Sequence, residues 1–163
     1  MPWYNRKSIH VPNRVGEGIY LVTICTNDRI CLFGDVTDGV MRLNDAGQIV
    51  HACWAAIPDH FPHVGLDAFV VMPNHLHGIV VVAERVRATP ASPLSDGRAG
   101  PRPGSLGAIV GSFKSATAKR INRIQHTPRA LVWQRNYDER AVQDIASVRR
   151  YILENPSNWR CDR

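Results

Sequence analysis

A chain of 163 residues falls within the usual size of one domain, and 44% hydrophobic against 21% charged residues excludes a disordered chain or a coiled coil. No run nears the roughly 18 apolar residues of a membrane span, and the opening MPWYNRKSIHVPNR has no apolar stretch of the secretory kind. With 20 Lys and Arg against 14 Asp and Glu, the net charge is +6 and the pI ≈ 9.5, so an anionic partner is expected, nucleic acid foremost. Cys25, Cys31, Cys53 and Cys161 have no metal-ribbon spacing and read as reduced, mostly buried thiols of a cytoplasmic protein.

A basic, polar arm runs from Trp3 to Arg14. GIYLVTICT, 18 to 26, is rich in β-branched and aromatic residues and predicts a largely buried strand. Residues 32 to 43 contain Gly34 and the pair Asp38-Gly39, a turn signal that predicts a small hairpin. Asn44 or Asp45 caps a helix that runs to about Ile57, where Pro58 helps to end it; Ile49, Ala52, Cys53 and Ala56 give its buried face. LDAFVVMP, 66 to 73, and HLHGIVVVA, 75 to 83, flank Pro73-Asn74 and predict an antiparallel hairpin.

Residues 84 to 104 hold four prolines, three glycines and four arginines without periodicity, and read as a flexible connector within one domain that spans 1 to 163. Ser105 caps a helix over 106 to 124, with Leu106, Ile109, Val110, Phe113, Thr117, Ile121 and Ile124 on one stripe. LVWQRNY, 131 to 137, predicts a fourth main strand, and Asp144 caps a last helix through Ile145, Val148 and Ile152 that Pro156 stops. With the small hairpin set aside, the order β-α-β-β-α-β-α predicts an α+β, ferredoxin-like antiparallel sheet with an added C-terminal helix.

Two local patterns carry chemistry. His75 and His77 are two apart in a strand, so their imidazoles share one face and can converge on one metal ion; two satisfied structural histidines are the competing reading. Tyr151 and Asn155 are four apart on the last helix and are neighbours on one face. A phenol is a nucleophile once ionised, and an amide oxygen can complete a coordination sphere; a core tyrosine is the bland alternative.

Together the patterns resemble a known family. MPNHLHGIVV, followed by WQRNY and RRYILENP, is similar to the small HUH tyrosine transposases of the IS200-like kind, and most of all to their REP-associated branch. GIYLVTICTNDRICLFG and SLGAIVGSFKSATAKRIN resemble that branch too, so the likeness runs from about Arg6 to Trp159 outside the connector. The resemblance implies a divalent ion, Mg²⁺ or Mn²⁺, held by His75, His77 and Asn155. It implies Tyr151 as the nucleophile that opens single-stranded or hairpin DNA through a 5′-phosphotyrosine, followed by strand transfer. It also leaves monomer and homodimer both open. Tyr137 is the rival nucleophile, and Arg140 stands where related sequences often carry His. The cations expected to meet phosphate are Arg6, Lys7, Lys114, Lys119, Arg120, Arg123, Arg149 and Arg150. A catalytically silent module that binds single-stranded nucleic acid on the same sheet, and a metal hydrolase that uses water, are the readings from other classes.

Overall fold

The computed structural model describes residues 18–83 and 104–160. Strand β1 (Gly18–Cys25) is followed by the hairpin β2 (Gly34–Thr37) and β3 (Val40–Leu43), helix α1 (Asp45–Ala55) and the short helix α2 (Ile57–His60). Strands β4 (Val64–Met72) and β5 (His75–Val82), helix α3 (Leu106–Gln125), strand β6 (Asp138–Ala141) and helix α4 (Ile145–Glu154) complete it. The four main strands form one antiparallel sheet in the order β4-β5-β1-β6, the ferredoxin-like arrangement expected from the element order. Asp38 and Gly39 turn the small hairpin with φ of 52° and 73°, as a type I′ turn requires. Among the described residues no helix is long and apolar enough to cross a membrane.

Alternation along β5 sorts its residues onto two faces. Leu76, Val80 and Val82 join the core beneath α1 and α3, together with Val22, Ile24, Trp54, Ile109 and Phe113. Trp54 from α1 packs against Gly78, where an added Cβ would sit 2.4 Å from its Cζ2. The histidines face the other way, toward α4.

Three helix boundaries follow their caps. Asn44 accepts from Gly47 N, Ser105 from Ala108 N and Asp144 from Ser147 N. The face of α1 differs from the expected one. Ala46, Val50 and Trp54 are buried and Ala52 is exposed, because the largest side chain takes the hole that Gly78 leaves. Pro58 does not end α1 but sits in the first turn of α2, where its missing N–H costs nothing. Ile124, expected on the buried stripe of α3, is 43% exposed in the last turn of the helix.

The largest departure concerns the fourth strand. Residues 131–137 form no strand; Thr26 and Trp133 make one isolated bridge, and the paired strand is Asp138–Ala141. Lys114 explains this. Its ammonium donates to the carbonyls of Gln134, Arg135 and Asn136 at 2.8, 3.3 and 3.0 Å, so these acceptors never enter a ladder. Val132 and Trp133 still bury, and Trp133 Nε1 donates to Thr117 Oγ1 at 2.9 Å. The apolar composition reported burial there, not pairing. The arm and most of the connector, 84 to 103, lie outside the described residues.

Candidate active site

The site is built on the face of β5 that looks toward α4. His75 and His77 are 2% and 4% exposed, with ring centroids 4.6 Å apart and nearly perpendicular. The Pro73-Asn74 turn is anchored first: Leu32 N and Phe33 N both donate to the Pro73 carbonyl, and Thr26 N to that of Asn74. The Asn74 amide then sets the first ring. Its Nδ2 donates to the Arg29 carbonyl at 3.3 Å, which turns Oδ1 toward His75 Nδ1 at 2.7 Å. His75 therefore carries its proton on Nδ1 and a bare lone pair on Nε2. That Nε2 is buried and lacks a well-formed hydrogen bond, although Asn155 from the end of α4 lies close enough to favour the charged ring.

Thr23 anchors the second ring. It is the cross-strand partner of His77, and its Oγ1 is 2.8 Å from Nδ1. In the tautomer with its proton on Nδ1, Thr23 accepts and His77 Nε2 faces Tyr151 Oη at 3.4 Å. Trp159 closes the other side, its ring 5.8 Å from that of His75. Burial pushes the His75 pKa down to about 4 and His77 well below the ordinary imidazole range. Both rings are neutral at pH 7, the form that binds metals.

These donors fit a divalent cation. Two neutral imidazoles with partnered Nδ1 atoms, an unsatisfied buried Nε2 and a nearby amide are the elements of a ligand set with a prepared outer shell. Among the described residues no third His, Cys, Asp or Glu joins the two histidines in one ligand group. An ion here would keep its positive charge, which suits an anionic ligand.

Of the residues expected from the sequence, His75, His77, Tyr151 and Asn155 come together. Tyr137 does not serve the same site equally well. Its hydroxyl donates to Glu139 at 3.0 Å, and burial with the Glu139 charge raises its pKa, so it is harder to ionise. Arg6 and Lys7 lie outside the described residues. Lys114, expected to meet phosphate, has all three of its N–H donors on backbone carbonyls. Lys119, Arg120 and Arg123 are exposed but ride on α3, in the layer across the sheet from the histidines. Arg149 forks onto Asp67 of β4, with Nε–Oδ1 at 2.7 Å and Nη2–Oδ2 at 2.6 Å, and Arg150 is exposed. A bulge after Leu66 aims Asp67 at α4, so the pair ties α4 to the sheet. Thr23, Asn74 and Trp159 were missed by sequence reasoning. Only Asn74, adjacent to His75 in a turn, had a local signal; Thr23 depends on strand register.

No family model matches the chain. It is 38% identical over 169 residues to an uncharacterised protein of Haemophilus influenzae, an alignment that covers 98% of this chain and 93% of that protein. A solved candidate transposase from Deinococcus radiodurans shares the fold with a TM-score of 0.50 and 16% identity, over 91% of this chain and 95% of that one. A REP-associated tyrosine transposase bound to a REP hairpin is 18% identical with a TM-score of 0.47, over 93% of this chain and 68% of its own.

Proposed function

We infer the activity of a chain that belongs to one sequence family with the Haemophilus influenzae protein and shares the fold of a solved candidate transposase: it nicks and rejoins single-stranded DNA through Tyr151, with a divalent ion as cofactor. The observation that carries this reading is the meeting of Tyr151 Oη with the buried His75–His77 pair, 3.4 Å from His77 Nε2.

His75, His77 and Asn155 would hold the ion. Once bound, it would neutralise charge that builds on the phosphate oxygens and orient the scissile bond. The imidazole nitrogens make the set poorer for Mg²⁺ than for Mn²⁺, and equally open to Zn²⁺ or Ni²⁺. Tyr151 Oη attacks the phosphorus, the bond to the 3′ oxygen breaks, and a 5′-phosphotyrosine forms. The phenol gives up one proton and the departing 3′-hydroxyl gains one, so the step is balanced. A second 3′-hydroxyl reverses it, which transfers the strand without an external energy source. Asn74 Oδ1 holds His75 in the tautomer that exposes Nε2, and Thr23 anchors the His77 ring through Nδ1. Burial excludes water from the rings, and Trp159 walls one flank. The partner is single-stranded or hairpin DNA, in keeping with a net charge of +6.

The test is a denaturing gel of protein incubated with labelled single-stranded hairpin DNA and Mn²⁺. The wild type is expected to give a covalent adduct and a nicked strand. Tyr151→Phe should fold and bind DNA yet give neither. Full nicking by the Phe variant would make water the nucleophile, and an adduct on Tyr137 would move the site.

A further inference from the structure

Beside the histidines, a cavity of about 110 Å³ opens between α4 and the edge of the sheet, several times the space one water needs. Leu21, Val148 and the Tyr151 ring line it with apolar surface, and Asp138 and Arg140 of β6 supply charge. The register sets this out in two rows. Asp138 pairs with Thr23, itself beside His77, and Arg140 pairs with Leu21. Asp138 and Arg140 are the two charged side chains of the cavity wall, and they carry the recognition chemistry.

We propose that this cavity receives one unpaired nucleobase adjoining the scissile phosphate, and that Asp138 and Arg140 determine which base it is. A phosphate is the poorer occupant: Arg140 would attract it, but the Asp138 carboxylate on the same wall opposes it, and Leu21, Val148 and the Tyr151 ring offer it only apolar surface. A nucleobase suits the lining: its flat faces match Leu21, Val148 and the tyrosine ring. Its edge carries donors and acceptors together, which an acceptor-only carboxylate and a donor-only guanidinium can read in combination. The position follows as well. Tyr151 belongs both to the cavity and to the histidine cluster, so a nucleotide whose phosphate lies at Tyr151 Oη has its base, or its neighbour's, at the mouth of the cavity. Because β6 is an edge strand, a single strand can enter from its open side without displacing sheet hydrogen bonds.

The inference rests on the single-strand reading of the site, and the experiment separates the two. A pool of single-stranded oligodeoxynucleotides of random sequence is selected by binding to the wild type, Arg140→Gln and Asp138→Asn. The retained strands are sequenced, and each protein is assayed in parallel for the Mn²⁺-dependent adduct. The wild type is expected to enrich one base at one position. Each variant is expected to relax or change that preference by roughly tenfold or more while preferences elsewhere persist. Unchanged preferences in both variants, or a wild type that selects no base, would overturn the cavity assignment even if the adduct forms. Selection that shifts with the variants but no adduct from the wild type would retain the cavity and remove the tyrosine chemistry.

Discussion

His77 owes its orientation to a residue 54 positions away, the Thr23 hydroxyl at 2.8 Å from its Nδ1. A ring held at one nitrogen presents the other in a defined direction, and such outer partners contribute about 10–100-fold to metal affinity in comparable sites. Thr23→Ala should therefore weaken Mn²⁺ binding by about that factor without unfolding the protein, whereas Thr23→Ser, which keeps the hydroxyl, should stay near the wild type. Calorimetric titration distinguishes them, and equal loss in both would mean that the methyl group, not the hydroxyl, matters. Tyr137 shows the opposite use of a polar partner. Burial and the Glu139 carboxylate, which accepts from its hydroxyl, raise the Tyr137 pKa and oppose its ionisation.

At the scale of elements, two contacts decide where segments go. The Lys114 ammonium gathers three consecutive carbonyls and holds residues 134–136 in an irregular path between α3 and β6. Burial lowers its pKa, but the carbonyls compensate the charge in place of water. Lys114→Ala strands those acceptors and should cost about 1–3 kcal/mol of stability. Lys114→Gln, with two donors, should recover part of it. Urea unfolding measures both; a neutral Ala variant would show that the carbonyls are satisfied otherwise. The other contact is Asp67–Arg149, which ties α4 to β4 while Ile152 is the one fully buried side chain of that helix among the described residues. Arg149 is thereby occupied in holding the tyrosine helix.

For the molecule as a whole, the buried histidines make stability depend on pH in a calculable direction. In the unfolded chain they titrate near 6.5; in the folded, metal-free protein burial lowers His75 to about 4 and holds His77 well below its ordinary range. Above pH 6.5 both states are neutral and nothing is lost. As pH falls from 6.5 toward 4, the unfolded chain takes up protons that the folded one refuses, so stability declines. For His75 the loss amounts to about 3 kcal/mol by pH 4. Asp67, with its carboxyl lowered to about 2 by Arg149, loses its contribution only between about 3.8 and 2, a separate window. Urea unfolding of metal-free protein at steps from pH 7.5 to 4 should show this decline, and a His75→Asn/His77→Asn variant should flatten it. A wild-type profile that is flat above pH 4 would mean that the rings are hydrated.

Local periodicity determined what depends on neighbours in the chain. The alternation of HLHGIVVV put both histidines on one face, helical spacing joined Tyr151 to Asn155, and Asn44, Ser105 and Asp144 marked three helix starts, because each is settled within one strand pleat or helical turn. The order of elements sufficed for the sheet, since few topologies suit that succession. Tertiary structure decided whatever required a distant surface. The face of α1 turned on the gap over Gly78, and LVWQRNY turned on where Lys114 points. The cations of α3 fell across the sheet from the histidines, because helix side and sheet face are set only when layers pack. Thr23 and the Asp138–Arg140 wall exist only through strand register, and register is a relation between segments that no single segment contains.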